Sequence, residues 1–517
     1  MDATPQRAVR PGVVPVAIMA IVGLYVLSLL AGWPQRGTEM IVSAAHGAAE
    51  GGAAQERTAL EAPPFWTVIP FMLLLAGIAV LPLMPATSHW WESNLNRFKV
   101  AGGLALLTLA YYAFLHNAEI EGHWPAHHVV TPSAGGVRTE LVSTILLNSM
   151  LQEFVPFIVL LFSLYTISGG IRIAGNLQAT PLTNATFMGT GAVLASFIGT
   201  TGAAMLLVRP LLETNRERKH VAHTLVIFIF IVCNCGGCLL PIGDPPLFLG
   251  YLEGVPFLWT LRLWREWLFV NGLLLATYLA LDWLWFYRHE TAKDVERDTR
   301  IGQRIVASGW QLNAPLLLGV VLAVAILDPS KPLLGTEWHP WIFLREIVLL
   351  SLVAISLKFG NLRIREANLF TYGAIIEVAA LFVGIFICMQ PALQILASKG
   401  SELGLSSPAH FFWASGSLSS VLDNAPTYLV FFKAAQSLPM APGVTPVAGV
   451  DPLILTAISL GSVFMGAMTY IGNGPNFMVR SIAESAGVKM PSFFGYMIYS
   501  FTILLPILAA MVWLFLM

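Results

Sequence analysis

Charge is what this sequence has least of. Asp, Glu, Lys and Arg together make up 11% of its 517 residues, where soluble domains carry roughly a quarter. A surface bathed in water cannot be built from so few charges, which excludes the soluble class. The signed charges cancel to −1, leaving no field that would point to nucleic acid or to an acidic partner. Cysteine is scarce as well. There are four, and Cys233, Cys235 and Cys238 share one apolar run, so no disulfide framework can form. With two glycines between them, Cys233-Asn-Cys-Gly-Gly-Cys238 reads as small-residue packing rather than a thiolate cluster, and Asn234 is its better candidate ligand. No nucleophile–base pair or metal-ligand set stands out, so neither an enzyme nor a bound cofactor is expected.

What is abundant is apolar sequence, at 56% of the chain. It comes in many runs of about 18 residues or more, each long enough to cross a bilayer core. Spans are predicted near 13–32, 64–84, 100–116, 148–169, 221–249, 264–287, 310–327, 341–357, 370–398, 453–479 and 492–516. Two further segments, 184–212 and 409–433, read as helical hairpins that enter and leave on one side. The fold class is therefore an all-α polytopic membrane protein with about eleven transmembrane helices and two re-entrant hairpins. The first span has an apolar core longer than the roughly 7–15 residues of a signal peptide, which favours an uncleaved anchor over cleavage near Ala44 to Ala49.

Loop cations test that map. With the N-terminus cytoplasmic and the hairpins not crossing, the inside loops collect Arg97 and Lys99, Arg172, and then Arg216, Arg218 and Lys219. They also collect Arg288, Lys293, Arg297, Arg300 and Arg304, then Lys358, Arg363 and Arg365, and finally Arg480 and Lys489. Outside loops hold mostly single cations such as Arg138, Arg262, Lys331 and Lys399, as the positive-inside rule requires. An odd number of crossings separates the two hairpins, so the second lies upside down relative to the first. The outside segment 117–146 is rich in histidine (His116, His123, His127, His128). Its spacing matches no compact zinc motif, and a solvated loop without bound metal is expected.

The two halves repeat one another. Each opens on a Glu before an apolar helix, at Glu153-Phe-Val-Pro-Phe and Glu377-Val-Ala-Ala-Leu. Each continues to a helix interrupted by small and polar residues, Ile198-Gly-Thr-Thr-Gly-Ala-Ala204 and Val421-Leu-Asp-Asn-Ala-Pro-Thr427. Each ends in a span broken by Gly and Pro, Pro241-Ile-Gly-Asp-Pro-Pro246 and Tyr470-Ile-Gly-Asn-Gly-Pro-Asn476. The chain is thus read as N-terminal helices (1–140), a first repeat (141–287), linker and scaffold helices (288–369) and an inverted second repeat (370–517). Paired interrupted helices in the two halves of a membrane chain point to a transporter binding site.

Chemistry then concentrates at the breaks. A helix broken inside a membrane frees carbonyls on one half and amides on the other, tolerable only where protein, ions or water meet them. Asp244 sits in the first break, either as a site group or as an ordinary cap, with Asn473 at the matching place in the second. Asp423 lies in an apolar run without a nearby Lys or Arg, where a carboxylate takes up a proton or a cation unless it caps the following helix. Ser419, Ser420, Asn424 and Thr427 add hard oxygen ligands suited to sodium. In the first hairpin Thr200 and Thr201 hold the corresponding place, flanked by Gly199 and Gly202. Glu153 and Glu377 are either proton carriers or helix-end carboxylates.

These residues resemble the ion transporter superfamily, which includes sodium/proton antiporters of the NhaD type, arsenite permeases and sodium-coupled citrate and dicarboxylate carriers. The runs at 241–246 and 470–476 look like its paired broken-helix signatures, and Val-Leu-Asp-Asn-Ala-Pro at 421–426 is similar to the hairpin of its antiporter and arsenite branches. The stretch from Glu377 resembles a branch described as citrate transporters or sodium/proton antiporters. The likeness covers about residues 140–510 and implies a homodimer in which each protomer carries its own site. Carboxylate carriers of this superfamily commonly show Ser-Asn-Thr at both tips, which this chain lacks, and Asp423 would repel a citrate carboxylate at close range. The expectation is a sodium/proton antiporter of a bacterial inner membrane. Asp423 would be the shared carboxylate, sodium and protons the transported ions, and a cation-coupled symporter of citrate or a related carboxylate the alternative.

Overall fold

The computed structural model describes residues 13–50, 61–82, 84–133, 135–175, 177–290, 305–333, 335–440 and 443–517. Lys293, Arg297, Arg300 and Arg304, which entered the loop-charge reading, lie outside the described residues. The described chain is mostly helical. Its apolar runs leave a backbone with no water to bond, and a helix satisfies every amide within its own segment. Val13–Leu30, Thr139–Ser168, Phe257–His289 and Phe493–Phe515 are long and apolar enough to cross a bilayer. Their outward side chains include Leu24, Leu27, Trp283, Trp285, Trp513 and Leu514, all exposed. An exterior of Leu and Trp suits lipid and its interface, as expected of a multi-pass membrane protein.

The chain folds into two compact units, one of Met1–Leu74, Leu81–Ile171 and Gly309–Pro391, the other of Leu75–Val80, Arg172–Ser308 and Ala392–Met517. In the first unit the helix Asn94–Phe114 packs closely on Gly373–Cys388. A Cβ on Gly384 would stand 2.6 Å from the Ala101 carbonyl oxygen, so only glycine permits that approach. Arg365 is buried and donates to the Thr166 carbonyl and to Ser356 Oγ, while Asn313 Nδ2 reaches the Gly170 carbonyl at 3.1 Å. The predicted solvated loop 117–146 instead contains a two-stranded antiparallel hairpin, Ile120–Gly122 with His128–Val130. Ile120 anchors it among Tyr111, Tyr112, Leu141 and Ile145. A second short pair, Arg172–Ala174 with Val306–Ser308, lies in the other unit, so the fold has a little sheet that an all-helical reading did not contain.

The second unit holds both interrupted stretches. Pro181–Ile198 and Thr200–Thr214 pack against each other about Gly199, whose φ of 79° lies in the left-handed region that glycine favours. Pro408–Ser419 and Asn424–Gln436 form the corresponding pair. The spans between are broken as the Gly and Pro residues require. Ala222–Val232 resumes at Pro245–Leu252 after the short 3₁₀ turn Cys235–Cys238, and Pro452–Phe464 resumes at Gly474–Ser485 after Met465–Met468. The packing repeats too. The resumed helix Pro245–Leu252 lies against Asn424–Gln436, and its counterpart Gly474–Ser485 against Thr200–Thr214.

One charged cluster fastens this unit. Asp282 opens a wide π-type turn at the end of Trp264–Leu281 and is fully buried. It accepts from Arg218 Nη1 at 2.9 Å, Tyr278 Oη at 2.9 Å and His223 Nε2 at 3.0 Å. Removing one partner of a buried ion pair leaves the other charge uncompensated, which costs about 3–5 kcal/mol, whereas replacing both by apolar groups is often neutral. Asp282→Ala should therefore lower the apparent melting temperature of the purified protein, read as soluble monodisperse protein after heating. Asp282→Leu combined with Arg218→Met should recover most of the loss.

Candidate functional site

Four helices of the second unit begin at one place. Thr200 and Asn424 are the first residues of the second arms of the two hairpins, and Asp244 and Asn473 are the N-caps of the two resumed half-helices. Neither cap residue bonds an amide of its own helix through its side chain. Both side chains are used in the cluster instead. Asp244, 1% exposed, accepts from Asn424 Nδ2 at 2.9 Å, Thr200 Oγ1 at 3.1 Å and Asn473 Nδ2 at 3.4 Å. The donors are neutral, and among the described residues no Lys, Arg or His bonds to this carboxylate. A hydrogen bond to a charged group contributes about 1.5–3 kcal/mol, and desolvating a carboxylate costs several. Three such bonds come to about 5–9 kcal/mol, the same order as that cost.

The breaks come this close because glycine and serine line them. The Thr200 amide donates to the Gly243 carbonyl at 2.9 Å. A Cβ on Gly243 would fall 2.2 Å from the Gly237 carbonyl oxygen, and one on Gly472 would fall 2.6 Å from that of Gly466. The two copies thus cross their own chain in the same way. Each hairpin is tied to its own broken span by one serine: Ser196 Oγ donates to the Gly236 carbonyl at 2.7 Å and Ser419 Oγ to the Ser462 carbonyl at 2.6 Å.

A second layer joins the copies. Asn473 Nδ2 also reaches the Cys233 carbonyl at 3.0 Å and Asn234 Oδ1 at 3.2 Å. Asn234 donates to Asn476 Oδ1 at 2.8 Å, and Asn476 in turn donates to the freed carbonyls of Gly466 and Thr469. The cysteines contribute carbonyls rather than thiols here. All of Cys233, Cys235 and Cys238 are buried and free of disulfides.

The structure thus gathers Asp244, Thr200, Asn424, Asn473 and Asn234 from the predicted set. Asp423 stands beside them in another role: its carboxylate caps Asn424–Gln436 by accepting from the Ala425 amide at 3.1 Å, and Thr427 Oγ1 donates to its carbonyl. Ser420 Oγ bonds the Ser417 carbonyl within its own helix, while its own carbonyl accepts from Thr469. Thr201 is half-buried on the first turn after Gly199. Glu153 and Glu377 belong to the first unit, where Gln390 Nε2 lies 3.4 Å from Glu153 and Arg97 pairs with Glu377 at 2.9 Å. Asn476 and Thr469 were missed as site residues. The signal was a second Asn in the Asn473-Gly-Pro-Asn476 run, and its carbonyl partners are freed only by the local break.

No curated protein matches the chain. The family model described as "Putative citrate transport" (CitMHS_2) matches residues 60–516, a stretch containing every residue of the cluster, and the chain therefore belongs to that family of citrate-transporter-type membrane proteins.

Proposed function

We propose that the chain is a secondary active transporter that moves citrate or a related carboxylate together with a cation, and that Asp244 is the coupling group. The observation that carries this reading is the meeting of four helix N-termini at a cluster of amide and hydroxyl donors. Helix N-termini carry partial positive charge and favour anions, which suits a substrate made of carboxylates. Asp244 supplies the one buried negative charge bonded to these donors, where sodium or a proton would be taken up with the substrate. Asp423, which weighed against citrate by like-charge repulsion, caps a helix end that takes up part of its charge.

Sodium/proton exchange is the second reading, and one observation favours it. Asn424 Oδ1 is buried without a hydrogen-bond partner while the same amide donates to Asp244, so a bare oxygen stands next to a carboxylate, as a sodium ligand set would need. Under either reading we take the two hairpins to be re-entrant, the halves to be an inverted repeat and the protein to be a homodimer in a bacterial inner membrane with its N-terminus inside. Alternating access would then move the two breaks together from one side to the other.

The readings separate in proteoliposomes assayed for labelled citrate uptake and for sodium-driven proton flux on one preparation. Asp244→Asn should abolish the response of citrate uptake to sodium and pH gradients, lowering gradient-driven uptake at least about tenfold, the effect of about 1.4 kcal/mol of lost ion binding. Asp423→Asn should retain citrate uptake or raise it, because Asn caps a helix as well as Asp and removes a negative charge. Sodium/proton exchange that survives in wild type without citrate and vanishes in Asp423→Asn would favour antiport instead.

The topology has its own measurement. Single cysteines introduced into a Cys-free background should label at 213–220 from the cytoplasm and at 435–440 from outside. Labelling of both from one side would contradict the inverted repeat.

A further inference from the structure

We propose that Glu121, His123 and His127 form a binding site for a divalent transition-metal ion of the zinc type, separate from any transported ion. The residues lie on the hairpin that joins Ile120–Gly122 to His128–Val130, and one ligand atom from each lies within 4.8 Å of the others. Glu121 Oε2 stands 3.5 Å from His127 Nε2 and 3.8 Å from His123 Nε2. Nitrogen and oxygen ligands about 2.0–2.1 Å from a tetrahedral zinc ion are roughly 3.4 Å apart. The carboxylate and each imidazole therefore stand within a few tenths of an ångström of a ligand set.

The backbone beneath these side chains is held in place. Glu121 pairs with Val129 and Gly122 with His128 in the strand register. Buried Asn148 accepts from the His123 amide at 2.8 Å and donates to the Glu121 carbonyl at 2.9 Å, so one side chain fixes two of the three ligand residues. Both imidazoles turn Nε2 toward the same carboxylate oxygen, which leaves each Nδ1 for an outer partner, the usual arrangement of metal-bound histidine. His128 is not part of the set. Its Nδ1 bonds the Ala126 carbonyl at 2.9 Å, and its ring covers Gly122. The three ligand side chains are one-third to over half exposed, so an ion reaches them from solvent and the fourth position stays open to water. Two imidazoles and one carboxylate select zinc-type ions over magnesium or calcium, which prefer oxygen alone.

The test uses the full-length chain, tag-free and stripped of metal, titrated with Zn²⁺ by calorimetry and with Co²⁺ by visible absorption. One ion per chain is expected, with the cobalt spectrum of a four-coordinate site. Glu121→Gln and the double variant His123→Ala/His127→Ala should each weaken binding at least about tenfold, and the double variant should lose the cobalt band. His128→Ala should bind as wild type does. All proteins are compared at matched size-exclusion profiles, which separates loss of a ligand from loss of fold. An absence of binding to wild type, unchanged binding in the double variant, or an equal loss in His128→Ala would each overturn the assignment.

Discussion

A buried carboxylate with neutral partners is the constraint on which the second unit depends. Asp244 is out of water and meets no cationic side chain among the described residues, so any charge it carries is met by neutral donors. Its donors are side chains at the starts of helices, so holding it brings the starts of four helices together. The hairpins and the breaks follow from that requirement. A continuous helix would keep its amides bonded within itself and have none to turn toward an anion.

The rest of the unit meets the geometric demands of bringing those ends together. Gly243 over the Gly237 carbonyl, and Gly472 over that of Gly466, let the chain cross itself where any side chain would collide. Ser196 and Ser419 then bond carbonyls of the broken spans. Asn473 bonds the Cys233 carbonyl of the other break, while Asn476, itself bonded by Asn234, donates to the Gly466 and Thr469 carbonyls of its own break. In an apolar interior each unpaired carbonyl would cost several kcal/mol, so these small polar residues hold the breaks open as stable structure. The Arg218–Asp282–His223 cluster uses a different solution, in which a full charge is met by an opposite one. That difference separates a charge-paired fastening from a carboxylate held by neutral donors alone.

Membership of a citrate-transport family fits this arrangement, since a tricarboxylate needs donors and positive helix ends more than it needs fixed cations. The same cluster has oxygen ligands that suit a small cation. Carboxylate and cation readings thus draw on two halves of one chemistry. On these readings the positive ends of the four helices would suit an anion, and the Asp244 and Asn424 oxygens a cation.

Much of this was legible in the sequence. Low charge and long apolar runs determined a helical membrane protein, because backbone in lipid has no other way to satisfy itself. Gly and Pro at 241–246 and 470–476 determined where the helices break, and the order of the landmarks matched two similarly built stretches. The site was legible as a set of residues, among them Asp244, Asn424, Asn473, Asn234 and Thr200, but not as an arrangement. Sequence singled out Asp423 because no cation stands near it in the chain. Tertiary structure turned Asp423 to cap its own helix and set Asp244 at the centre, since its three donors come from residues 44, 180 and 229 positions away. The histidine loop shows the same division. Its spacing matched no motif, and only a strand pairing with Asn148 beneath it brought Glu121, His123 and His127 together. Periodicity and breaks are local properties of a chain, whereas which polar groups meet is decided by packing between distant segments, and that information resides only in the fold.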